Sequence, residues 1–215
     1  MGTCFWLPTT RVSGYHRRMK ICRAWLFGLC AVFSLLSTSL GQVGEAETDI
    51  HIDVKFSPAI AGDSETPGHQ GEISIVSFKF GVTQKGTAVT GSGLGAGKAE
   101  FTPMMLYKYL DKSSAKLFVN CAKGTHFKSM VLTVSEADIE NPELLKSILT
   151  IQLNNVQFAA VNTDSSTVDS KGNLVESITV EYKSAFWTFT GSDGQTSSGG
   201  FDLKANKELT VAPPL

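Results

Sequence analysis

One short helical stretch stands in a chain that otherwise alternates like strands. Residues 107–127 read Tyr-Lys-Tyr-Leu-Asp-Lys-Ser-Ser-Ala-Lys-Leu-Phe-Val-Asn-Cys-Ala-Lys-Gly-Thr-His-Phe. Within them Ala115, Leu117, Phe118 and Cys121 supply an apolar stripe. Asp111 or Ser113 offers an oxygen for a free first-turn N–H, and Gly124 can end the helix in the left-handed conformation. A long glycine-rich stretch, residues 86–97, comes shortly before it. One side helix and one long arm on a β-rich body suit a part that docks to copies of itself better than a pocket that does chemistry.

The strands follow from apolar alternation. Ile50, Ile52, Val54 and Phe56 alternate with His51, Asp53 and Lys55, a half-buried strand by strict period two. Residues 57–71 carry Pro58, Gly62, Pro67, Gly68 and Gly71 and read as loop. Residues 72–82 read as a second strand whose apolar phase slips at Ile75-Val76. A bulge or burial on both faces would account for the slip. Residues 83–97 form the arm, with Gly86, Gly91, Gly93, Gly95 and Gly97 among small polar residues. A loop of this length in a compact domain is usually functional or disordered. Composition leaves open a loose hairpin tip and an arm ordered against a neighbouring subunit.

Further strands are expected over 98–105, 127–134, 147–160, 176–190 and 200–205. Asp193-Gly194 marks a turn, residues 162–173 a polar loop and 138–145 a helical turn. Seven or eight strands imply a sandwich or small barrel of a single domain.

The first 41 residues are set apart by composition. A basic start with Arg17, Arg18, Lys20 and Arg23 precedes an apolar run over 24–36 and a small-residue stretch over 37–41. That order is the plan of a secretory signal peptide, and the run is short for a membrane span. Met19 is an alternative start. All four arginines of the chain lie in this leader. The remainder holds 14 lysines and 20 acids, a net charge of −6. Without arginine and with a negative balance, it is poorly suited to nucleic acid or to an anionic membrane. Cys121 is the one cysteine beyond the leader, which excludes an internal disulfide there. Its place on the apolar stripe fits a buried structural thiol.

The search for chemistry yields no enzyme signature, cofactor site or metal site. His51, His69 and His126 lack ligand spacing, and structural or solvated roles suit them. Gly93-x-Gly95-x-Gly97-Lys98 lacks the spacing and following Ser or Thr of a phosphate loop. There is no nucleophile elbow. Phe186-Trp187-Thr188-Phe189 reads as core, with Trp187 an outward contact at a subunit seam as the alternative.

Residues 49–212 resemble the haemolysin-coregulated (Hcp) proteins of type VI secretion systems. Phe78-Lys79-Phe80-Gly81-Val82-Thr83-Gln84 is similar to the family's second-strand ending, and Gly95-Ala96-Gly97-Lys98 to the end of its extended loop. Tyr107-Lys108-Tyr109-Leu110-Asp111-Lys112-Ser113-Ser114 resembles its helix motif most closely, continued by Leu117, Cys121, Gly124 and His126. Gly200-Phe201-Asp202-Leu203 resembles its closing segment, with Phe201 where the family usually has Trp.

The resemblance implies a mainly β, barrel-like fold of two packed antiparallel sheets, one short flanking helix and a long extended loop. It implies six-membered rings stacked into a tube, driven outward by a contractile sheath and able to carry small effectors. Partners would be the chain itself and the sheath, spike and effector proteins. Thr87, Val89, Gly91, Gly93, Leu94, Gly95 and Lys98 are then the subunit-interface residues of the loop. Tyr107, Tyr109, Asp111, Lys112, Ser113 and Ser114 carry the family motif. The leader departs from the family, whose tube assembles in the cytoplasm: it implies export to the periplasm or beyond as an Hcp-like protein that does not build an orthodox tube, or, where the start is mis-called, assembly in the cytoplasm. The other function class is an exported β-sandwich module that binds an envelope protein or a glycan.

Overall fold

The computed structural model describes residues 49–87, 95–138, 141 and 144–215, and the backbone alone at 85–87, 95–98 and 165–166. In chain order its elements are β1 (Ile50–Ser57), β2 (Ile73–Ser74), β3 (Ser77–Lys79), β4 (Val82–Thr87), β5 (Gly95–Phe101), β6 (Met104–Tyr109) and α1 (Ser114–Ala122). There follow β7 (His126–Ala137), β8 (Leu145–Val168), β9 (Leu174–Glu181), β10 (Ser184–Thr190), β11 (Thr196–Asp202) and β12 (Lys207–Leu209). The leader lies outside the described residues.

All strand pairings are antiparallel, and ten strands belong to one hydrogen-bonded sheet. Strand β1 runs along β7 from Ile50 opposite Glu136 to Ser57 opposite Ser129. Its alternation then places Val54 and Phe56 in the core. Strand β8 spans 24 residues and keeps β7 on one edge. On its other edge it pairs first with β10 and, from Gln157 onward, with β9. Asn155, at the changeover, has φ +52°. From β9 the sheet continues through β6 to β3. The segment holding β2 and β3 then leads back to β1, so the whole is barrel-like.

That return explains the phase slip. The segment does not bulge: it changes partner. Ile75 N–H bonds to Ile52 of β1, and Val76 N–H to Tyr107 of β6. Ile73 and Ile75 are buried while Val76 is 44% exposed. The single strand expected over 72–82 is therefore three short ones. The strand expected over 98–105 is likewise divided, at Thr102-Pro103, where proline supplies no ladder donor. The strand expected over 176–190 breaks at Tyr182-Lys183, where the chain leaves the β9 position beside β8 for that of β10.

The polar loop expected over 162–173 is mostly strand. β8 and β9 continue as a hairpin to Val168 opposite Leu174. The turn is tied by the Asp169 carboxylate, which accepts N–H bonds from Lys171 and Asn173 at 2.8 Å. Asp193-Gly194 turns as expected, with Gly194 at φ +77°. The helical turn expected over 138–145 falls partly outside the described residues, and β8 already begins at Leu145.

The core gathers one face of each long strand. Val54, Met104, Leu117, Met130, Leu132, Ile151, Leu153 and Val156 are fully buried. Phe56, Phe127 and Phe158 meet with ring centroids 5.1–5.3 Å apart. Burying each such side chain contributes about 1.5–3 kcal/mol. Helix α1 packs on β8 through Leu117, while Cys121 lies against the core and Phe118 is 64% exposed. The expected apolar stripe is thus narrower than its residue types suggested. At the C-terminal end Thr125 N–H reaches Asn120 carbonyl and Gly124 N–H reaches Cys121 carbonyl, with Gly124 at φ +62°. This is the left-handed ending that satisfies otherwise free carbonyls.

Candidate functional site

Two regions hold the residues singled out by sequence: the motif before the helix, and the root of the arm. In the motif, β6 alternates Met104, Leu106 and Lys108 toward the interior. Lysine is almost never fully buried unless paired, and Lys108 has no exposed side-chain surface. Its ammonium donates to Tyr109 carbonyl at 2.6 Å, Asp111 Oδ1 at 2.8 Å and Glu176 Oε1 at 2.8 Å. Ser114 Oγ lies within reach as a fourth, longer acceptor at 3.3 Å. Ser114 Oγ donates to the same Glu176 oxygen at 2.7 Å and accepts Asp111 N–H at 3.1 Å. This knot ties β6, β9 and the first residue of α1 together.

The rest of the motif surrounds it. Asp111 Oδ1 accepts both the N–H and the hydroxyl of Ser113. Ser113 sits at the helix start in helical geometry and its hydroxyl caps nothing, contrary to one of the two expected caps. Burial pushes the Asp111 carboxyl up, but the bonds from Lys108 and Ser113 outweigh it and hold it below its ordinary value. Tyr109 Oη donates to Asp169 Oδ2 at 2.8 Å, so motif and β8–β9 turn are joined. Asp169 is held well below the usual carboxylate range by the Asn173 N–H first and Tyr109 second. Lys112 pairs with Asp63 at 2.8 Å on the surface. Tyr107 faces Ser77 on one side and Ser177 on the other.

The arm is not loop from its start. Strands β4 and β5 form a two-stranded sheet of their own, from Val82 opposite Phe101 to Thr87 opposite Gly95. Thr87, Gly95 and Lys98 therefore lie in a ribbon. Val89, Gly91, Gly93 and Leu94 lie outside the described residues. At the root, Thr102 N–H and Oγ both donate to Gly81 carbonyl at 3.0 Å. Phe80 rests against Tyr182 and Trp187, with centroids 5.5 and 5.3 Å away, and Phe101 stacks on Phe201 at 5.2 Å. Tyr182 Oη donates to Thr102 carbonyl at 3.0 Å, and burial pushes its hydroxyl up to about 12. An apolar groove of about 340 Å³ opens here, walled by Phe80, Val82, Phe101, Trp187 and Phe201.

Sequence reasoning placed the motif and the arm but missed what fixes each. Lys108 was legible only as one polar member of the motif, and Glu176 lies 68 positions away. Of the root aromatics the sequence singles out Phe80, Trp187 and Phe201, each in a separate segment, but not Phe101 or Tyr182, nor that residues 78–84 and 200–203 meet there. Their signal was the placement of Phe80 and Phe101 at the two ends of the glycine-rich stretch. Among the histidines, His69 Nδ1 contacts Glu72 Oε2 at 2.8 Å and His51 lies 3.5 Å from Asp49. Both are local partners, the first part-buried and the second at the surface. Among the described residues no cluster of three or more His, Cys, Asp or Glu could hold a metal ion.

A family model described as type VI secretion system effector, Hcp, matches residues 50–189. The chain is similar to Protein hcp1 of Pseudomonas aeruginosa, 31% identical over 123 residues that make up 57% of this chain and 73% of that protein. Its fold is similar to the crystal structure of Hcp1 from Salmonella typhimurium, with TM-score 0.61 and 26% identity, covering 74% of this chain and 99% of that one. It is also similar to a structure of a type six secretion system protein, with TM-score 0.65 over 75% of this chain and 100% of that one. At 21% identity the latter likeness concerns fold alone.

Proposed function

The chain belongs to the Hcp family of type VI secretion systems, and from that premise we propose that it is a ring-forming structural subunit. Six copies close a ring, rings stack into a tube, and the arm of each copy reaches the next. A heterologous contact closes when its rotation divides a full turn. Neighbouring copies also cover strand edges that would otherwise invite aggregation. The tube works with sheath and spike proteins, carries small effectors and is itself secreted. Residues 1–41 are a leader removed on export; a start at Met19 leaves the same domain.

The observation that carries this reading is the ribbon. It is a separate two-stranded sheet joined to a body that already has a complete core of its own. No ribbon residue whose side chain is described belongs to that core, and such a ribbon is available for a second copy. Electron microscopy and mass measurement of the purified protein test the proposal: rings of six are expected, and a strict monomer at high concentration overturns it. N-terminal sequencing from cells and medium tests the leader, which fails if residues 19–41 persist on the secreted protein.

A further inference from the structure

We propose that the five rings at the arm's root are a positioning device that aims the ribbon before a second copy arrives. The inference rests on the reading of the arm as a subunit contact. A lone two-stranded ribbon is marginally stable in water, and β4 and β5 pair only with each other among the described strands. Their direction must therefore come from the root.

The root is held at two points. Phe80, just before β4, lies against Tyr182 and Trp187. Phe101, the last residue of β5, stacks on Phe201 of β11 at 25° between ring planes. One attachment would leave the ribbon free to swing about it. Two attachments, one just before β4 and one at the end of β5, restrain both tilt and rotation. The Tyr182 bond to Thr102 carbonyl adds a directional tie between them. Val82 is already 57% exposed, so side-chain shielding is lost at once beyond the clamp. An arm aimed in advance gives up less conformational freedom on association. Phe80, Phe101, Tyr182, Trp187 and Phe201 are positioning residues in this sense, acting through the ribbon.

The test leaves the arm's own sequence untouched. In the full chain, Phe201→Ala removes one of the two attachments and Phe201→Trp restores an aromatic partner. Hydrogen exchange of the β4–β5 amides and sedimentation of the assembled protein are read together. Loss of one aromatic pair is expected to speed ribbon exchange by about three- to tenfold and to lower ring association at least as much. Exchange in β7 should stay slow, and Phe201→Trp should recover both readouts. Unchanged ribbon exchange in Phe201→Ala overturns the proposal; so does faster exchange with ring assembly intact. If Phe201→Ala does not fold, Trp187→Ser weakens the other attachment from the surface and faces the same two outcomes. A wild-type protein that never forms rings sinks the assembly reading, while ribbon exchange still decides whether the rings restrain the arm.

Discussion

The helix and the arm are both appendages on the same barrel, yet they are fastened by opposite chemistry. The helix is tied by charge: Lys108, Asp111 and Glu176 meet with almost no solvent access. The arm is tied by rings, two of its own against three of the body, beside an open apolar groove. A buried charge knot has few good geometries, because every proton and lone pair must find its partner. A ring pair holds its geometry more weakly, contributing about 0.5–1.5 kcal/mol beyond its burial. One appendage is thus fixed, the other aimed but adjustable, as an element that must meet a neighbour requires.

The contrast breaks first at the knot. Glu176→Ala leaves buried Lys108 with Asp111 as its one carboxylate partner and should cost about 2–3 kcal/mol, read by chemical denaturation. The paired change Lys108→Met with Glu176→Leu removes the ammonium together with its most buried carboxylate, leaves Asp111 on its Ser113 bonds, and should recover part of that loss. If the single variant costs under about 1 kcal/mol, the knot does not fix the helix. The ring side should yield more softly. Phe80 is only partly buried, so Phe80→Ala should cost about 1–2 kcal/mol, below the range for a fully buried ring. A loss as large as that of Glu176→Ala would erase the distinction between the two fastenings.

How much of this was legible depended on the range of the cause. The β1 alternation, the Asp193-Gly194 turn and the Gly124 helix ending are set by neighbours a few residues apart, and the sequence showed them. The strand breaks near Val76 and Tyr182 come from changes of partner strand, which no local pattern encodes. Asn162 and Thr163 read as loop because they are polar, yet they lie on a hairpin whose ladder needs no buried face. Lys108 was concealed by its own chemistry, since a lysine signals solvent until its carboxylates are placed. The family motif was visible as a string; that it encloses a buried ammonium was not.

Acid should loosen the knot as mutation does, by a smaller amount. Asp111 titrates below its ordinary value of 3.8 in the folded protein. A carboxylate lowered in this way stabilises the fold above its unfolded pKa and loses that contribution as pH falls through the folded value. Unfolding free energy should therefore drop as pH is lowered from about 4. Asp111→Asn, which has no such carboxylate, should lose less over that window. Equal slopes in the two proteins would remove Asp111 from the account.

The smallest effect should come from the motif's outermost charge. Lys112 contacts Asp63 at 2.8 Å, but both side chains are more than half exposed. Lys112 N–H also bonds Asp63 Oδ2 at 3.2 Å, and that bond survives removal of the side chain. An exposed pair held by a long side chain contributes about 0–1 kcal/mol and is screened by salt. Lys112→Ala should accordingly shift stability by less than about 1 kcal/mol, with the difference shrinking at high salt. Lys108 and Lys112 lie four positions apart in one motif, so the pair isolates what burial does to the same ammonium. If Lys112→Ala rivalled Glu176→Ala, position within the motif would matter more than access to water, and the charge knot could not be what holds the helix.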